Sequence, residues 1–326
     1  MAKIKLGLTL YSFSSEYINM KLSLEDILKE ASEMGYTGIE IIPAQMCPTY
    51  PYVTDEWIEE LKSLMKKYNL QPVCWSAYLD MGLATGRDLT EDEIIQYTVN
   101  DLIYAKKAGF PIVRSQFSIT PEIFVKMIPF CKKLDMKLTI ELHHPHFPKH
   151  PLWQQYVDIC RGVGKGVLGI VPDFGIFINT PHKLWCDQAL EMGFEPEKFD
   201  KLVDLHKAGV SLEDAQAQLS LNDNEKQIAA SMYDEFETRC NPEEIKDIID
   251  VAFYMHGKFY YAEEGQNDPS IPYDEILKAV AETDYDGFIA CEYEGHHFTD
   301  EIPAAQQLGR YVAMCRRIIG DSIVEA

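Results

Sequence analysis

Eight short apolar runs alternate with segments of helical period along this chain, and that alternation constrains the fold more than any other feature. The runs are KLGLTLYS (5–12), TGIEII (37–42), QPVCWSAY (71–78), PIVRSQF (111–117), KLTIELHH (137–144), VLGIVPDF (167–174), VAFYMHGKF (251–259) and GFIACEYEG (287–295). Between them stand SLEDILKEASEMG (23–35), TDEWIEELKSLMKKYN (54–69), TEDEIIQYTVNDLIYAKKAG (90–109) and TPEIFVKMIPFCKKLD (120–135). Each opens on Ser or Thr, and in the first and third an acid follows three residues later, a helix-start pattern. Strands that alternate with single helices pair in parallel, because each crossover helix returns the chain to the same end of the sheet. Eight such units predict an α/β protein of one domain, 1–326, folded as a closed (β/α)8 TIM barrel. An open doubly wound sheet is the alternative, but no Gly-rich phosphate loop follows any of the runs.

One interval breaks the spacing. From the sixth run to the seventh the chain passes through HKLWCDQALEMGF, PEKFDKLVDLHKAGVSLEDAQAQLSLN and DNEKQIAASMYDEFETRC before a predicted helix, NPEEIKDIID. A single crossover helix needs far fewer residues, so 181–241 is expected to be a helical insertion at the barrel mouth, serving as a cap or as a docking element for a partner.

Composition narrows the partners. A formal net charge of −22 repels a polyanion over most of the surface and argues against nucleic acid. No apolar run approaches the roughly 18 to 20 residues needed to span a bilayer, and no membrane partner is expected. The eight cysteines are scattered without a CxxC pair, the usage of a reducing compartment, so the chain is expected to be soluble and cytoplasmic.

In a barrel of this kind the functional groups come from the carboxyl ends of the strands. Glu141 closes the fifth run, Asp173 the sixth and Glu292 the eighth, while His256 lies in the seventh. An acid left ionised and unpaired in such a place costs several kcal/mol, roughly, and a divalent cation would satisfy all three carboxylates together. Oxygen-rich ligation with one nitrogen suits Mn2+, the ion expected here, or Mg2+ or Co2+, better than a structural zinc. His206, in LVDLHKAG, competes for the histidine position, but its surroundings read as helix.

The stretch ELHHPH holds three of the chain's nine histidines directly beyond Glu141. Strand alternation would put Glu141 and His143 on one inward face, making His143 a candidate general base, with Glu141 and Glu292 as its catalytic neighbours. His144 is expected to contact substrate, and His146 and His150 to line the loop or the surface. Arg114, Trp75 and Tyr11 are further candidates for substrate contact, with Phe13 and Tyr78 as other aromatics at strand ends. Arg114 has the alternative of pairing with an interior acid such as Glu40, and Glu294 shares the face of Glu292.

The pattern of Glu141, Asp173, His256 and Glu292, together with GYTGIEI and GQNDPSIPYDEILKAVAETDYDGFIACEYEG, resembles the xylose isomerase-like, sugar phosphate isomerase/epimerase superfamily. The resemblance covers nearly the whole chain outside the insertion and implies that these four residues form a metal cage. Its ketose 3-epimerases usually carry a His, a Glu and an Arg where this chain has Ile176, Phe147 and Ala262, so a small open-chain sugar is not the implied substrate. ELHHPH with a long helical insertion resembles the large subunit of bacterial C-glycoside deglycosidases. That implies a 3-keto C-glycoside substrate, carbon–carbon cleavage, and a small β-rich partner subunit. Isomerisation or epimerisation of a ketose or keto-inositol stands as the alternative. A metal-dependent endonuclease of the same fold expects more histidine ligands and a basic groove, and a non-catalytic binding subunit expects no metal.

Overall fold

The computed structural model describes residues 2–116 and 118–324; Phe117, the last residue of the fourth predicted run, lies outside them. Eight strands form one sheet: β1 (Lys5–Thr9), β2 (Gly38–Ile41), β3 (Gln71–Ser76), β4 (Ile112–Ser115), β5 (Lys137–Leu142), β6 (Leu168–Pro172), β7 (Met255–Phe259) and β8 (Phe288–Tyr293). Every paired neighbour is parallel, in the order β6-β5-β4-β3-β2-β1-β8-β7. The seam between β6 and β7 closes through single parallel bridges, Ile170 to Ala252 and Asp173 to His256. The chain is thus a (β/α)8 TIM barrel, and two of the four proposed ligands face each other across its seam.

Local chemistry explains the helix starts. Ser23 and Thr90 each accept a hydrogen bond from the backbone three residues on, and Asp26 and Glu93 bond back to the cap backbone. Four expectations need correcting. The first strand stops at Thr9 and turns into a 3-10 helix, Leu10–Phe13, so Tyr11 is not a strand residue. The segment at 120–135 is two helices, Pro121–Lys126 and Ile128–Leu134, because Pro129 cannot donate within a continuous helix. NPEEIKDIID forms 3-10 turns rather than an α-helix. The seventh strand begins at Met255, preceded by irregular backbone.

The core has two parts. Outward-facing strand residues pack against the helices in one large cluster, whereas Val73, Cys74, Ile112, Val171, Tyr254 and Ala290, with Phe253 and Phe288 against them, form a separate plug inside the barrel. Gly38 is required there, since a Cβ would run into Val73 and the Phe288 ring.

Between β6 and β7 lie four helices, Lys183–Glu191, Pro196–Lys207, Leu212–Leu219 and Asp223–Glu235. Trp185 packs on Phe199 and Phe236, with ring centroids 6.2 and 5.3 Å apart, and Phe199 on Phe194 at 5.3 Å. These rings join the large cluster rather than forming a core of their own.

Candidate metal centre

Glu141, Asp173, His256 and Glu292 are all buried, and one ligand atom from each lies within 4.8 Å of every other. The register explains the convergence. Asp173 follows β6 and bridges His256 on β7, while Lys258, two residues beyond His256 on the same face, pairs with Glu292 on β8. His256 Nδ1 lies 2.7 Å from Glu141 Oε1 and 3.4 Å from Glu292 Oε1. Its Nε2 meets Glu40 Oε2 at 2.6 Å and the Tyr254 hydroxyl at 2.5 Å.

Charge is concentrated here. Glu40, Glu141, Asp173, Glu292 and Glu294 face two fixed cations, Arg114 and Lys258, so negative charge is in excess. Burial works against the Glu141 charge, but Arg114 and His256 outweigh it and hold that carboxyl well below the usual range. Burial pushes Glu292 up instead, against the pull of His256 and Lys258. Asp173 Oδ2 and Glu292 Oε2 are buried without a hydrogen bond, although Lys258 Nζ stands 2.7 and 3.5 Å away. Converging buried oxygens, one imidazole and surplus negative charge fit a divalent cation.

The remaining predicted residues divide. Tyr11 donates its hydroxyl hydrogen to His297 Nε2 or accepts from it at 2.8 Å, and burial, then the field of Glu294, raises its pKa. The Tyr78 ring lies 5.2 Å from the Arg114 guanidinium. Arg114 itself is buried, donates to Glu141 and to Ser76, and stands 3.3 Å from Glu40. Its guanidinium is therefore engaged with interior acids, the alternative the sequence allowed. Trp75 faces away from the barrel interior: fully buried against Phe110 and Trp57, it donates to Asp101 on the helix Glu91–Ala108 at 2.8 Å. It cannot stack on a ligand at the mouth. Phe13 is likewise core.

His143 lies past the end of β5, which stops at Leu142, so alternation does not set its direction. A local bond does: His143 Nδ1 donates to the His144 carbonyl at 2.5 Å, the tautomer that leaves the lone pair on Nε2. It stands two residues beyond Glu141, at the carboxyl end of β5. His144 Nε2 accepts from Arg239, and burial together with that guanidinium lowers its pKa to about 4. His146 packs on His150 and Trp153, and His206 lies in the insertion edge-on to Tyr233.

Sequence reasoning missed Lys258 and Arg239. Lys258 could have been found, being two residues beyond His256 on the same strand face. Arg239 had no local signal.

Residues 28–317 match the family model of the xylose isomerase-like TIM barrel. The chain is 29% identical to the 3'-dehydrocarminate deglycosidase alpha subunit of a Microbacterium species, with 100% of this chain and 98% of the relative aligned. It is 28% identical to a C-glycoside deglycosidase alpha subunit of Arthrobacter globiformis, covering 98% and 94% of the two. Among solved structures, the IolI protein with a bound zinc atom superposes with a TM-score of 0.57 at 14% identity, over 98% of this chain and 99% of that one. No helix among the described residues is long and apolar enough to cross a membrane.

Proposed function

This chain belongs to the xylose isomerase-like TIM barrel family, and from that membership and the cage we propose that it removes a proton next to a sugar carbonyl and thereby cleaves a 3-keto C-glycoside. The observation that carries the reading is the set of four buried ligand atoms within 4.8 Å of one another, with His143 two residues beyond the first. Glu141, Asp173, His256 and Glu292 would hold one divalent ion, Mn2+ by the chemistry of the donors, with Mg2+ or Co2+ the alternatives. Bound there, such an ion supplies polarisation of the sugar carbonyl.

The protein's own groups do the rest. His143 Nε2 takes the proton from C2, and the C2–H electron pair moves toward the C3 carbonyl oxygen. The resulting enolate collapses, restoring the C3 carbonyl and forming a C1–C2 double bond as the C1–C bond to the aglycone breaks, and the departing aryl carbon takes the proton that His143 now carries. Arg114 holds Glu141 in place, and Lys258 keeps Asp173 and Glu294 beside the reacting sugar. Tyr11, Tyr78 and His144 would border the substrate. The name of the Arthrobacter relative supports the substrate class. Its designation as an alpha subunit supports a partner subunit; that this partner is small and β-rich, with 181–241 as cap or docking element, is part of the proposal.

The decisive assay incubates metal-loaded protein in D2O with 3-keto C-glycosides and, separately, with ketoses and a keto-inositol. Release of free aglycone is expected. Deuterium entering a ketose carbon with no aglycone released from any C-glycoside would replace this reading with isomerisation or epimerisation.

A further inference from the structure

The insertion does not merely stand beside the barrel. Its return segment touches both loops that carry the proposed chemistry. Arg239 donates through one terminal nitrogen to His144 Nε2 and through the other to the Asp234 carbonyl at 2.8 Å, near the end of the helix Asp223–Glu235. Glu237 stands 3.4 Å from the same guanidinium, whose side chain is 12% exposed. The next residue, Cys240, donates its thiol hydrogen to the Ile176 carbonyl at 3.3 Å, in the turn that follows Asp173. Two consecutive residues thus pin the loop after β5 and the loop after β6.

We propose that Arg239 is a positioning residue through which the insertion sets the orientation of His143. The route is short. Arg239 fixes the His144 ring by donating to Nε2, and an immobile His144 presents its carbonyl to His143 Nδ1–H at 2.5 Å. That bond holds the His143 lone pair on Nε2, the tautomer a base must have. A guanidinium suits the task, because its planar fork bonds the imidazole and the helix end at once, whereas an ammonium presents a point charge. The rest of the loop is held independently: the Gln154 amide donates to the Pro148 carbonyl at 2.6 Å, and Lys149 pairs with Glu244 at 3.1 Å. Removing Arg239 therefore loosens the His144 ring without releasing the loop as a whole. The inference rests on His143 as the base.

The test compares full-length wild type with Arg239→Ala and Arg239→Lys. Three quantities are read: bound metal per chain, kcat and KM for aglycone release, and the 15N resonances of the His143 and His144 rings. Arg239→Ala should keep its metal while kcat falls about 10- to 100-fold, the scale of effect of a displaced catalytic group, and any rise in KM through the substrate-bordering His144 should be smaller than the fall in kcat. The His144 ring resonances should move toward a mixture of tautomers. Arg239→Lys should recover a substantial share of kcat, since one donor to Nε2 remains. Unmoved ring resonances with full kcat in Arg239→Ala would overturn the proposal. So would a loss shared equally by Arg239→Lys and accompanied by lost metal, which would make Arg239 a fold residue of the insertion. Wild type that releases no aglycone would instead defeat the cleavage reading, and the ring resonances would then judge Arg239 by themselves.

Discussion

Two of the places where this barrel buries acids are chemically opposite. In the interior, Glu141, Asp173 and Glu292 converge on His256, with two of their oxygens lacking hydrogen bonds. In the layer between strands and helices, Asp101 stands alone, receiving Trp75 Nε1 at 2.8 Å and the Tyr50 hydroxyl at 3.2 Å. Burial nonetheless pushes Asp101 up to about 7, against the pull of those two donors. A buried acid by itself is thus no mark of a site. What separates the cage is convergence: several carboxylates share one small volume, so neutral donors cannot satisfy them all and a cation fits.

The contrast can be tested where it is steepest. His143→Gln should cut aglycone release by about 10²–10⁴, the usual contribution of a general base, while metal per chain stays at the wild-type value. Unaltered turnover with intact metal would remove His143 from the mechanism.

Glu292→Gln comes next. Losing a partner outside the ligand sphere already costs about 10- to 100-fold in metal affinity, so loss of a ligand charge should cost at least about 100-fold. Isothermal titration with Mn2+ measures this directly. Wild-type affinity in that variant would show that the cage does not hold the ion as drawn.

Asp101→Asn should leave metal binding and turnover nearly untouched and act on stability alone. With the folded carboxyl raised to about 7, the unfolded chain holds fewer protons between about pH 4 and 7, so stability falls as pH rises through that window. The total fall is about 4 kcal/mol at most, and the Asn variant should flatten it. Denaturant midpoints at pH 4 and pH 8 are the measurement. An equally steep slope in the variant would assign the pH dependence to another group.

The barrel was legible in the sequence because strand and helix periodicity are local properties, and eight alternations admit few parallel arrangements. The three acids that converge on His256 were conspicuous for a related reason: an acid at the end of an apolar strand stands out in one dimension. The direction of the side chains was less so. Trp75 reads as a mouth aromatic, yet it points into the helix layer. Arg114 reads as a substrate contact, yet its guanidinium is taken up by Glu141, Ser76 and Glu40. His143 lies beyond the last strand residue, where alternation no longer applies, and its direction comes from a bond to the neighbouring carbonyl.

The sequence by itself determined the fold class, the extra length between the sixth and seventh strands and the identity of the acids that end the strands, because each is written in spacing and residue type. Tertiary structure alone decided which of them share a volume, that Lys258 stands among them, and that Arg239 reaches His144 across 95 positions of chain. Such contacts depend on the closure of the barrel and the return path of four helices, which bring together atoms that no local pattern links.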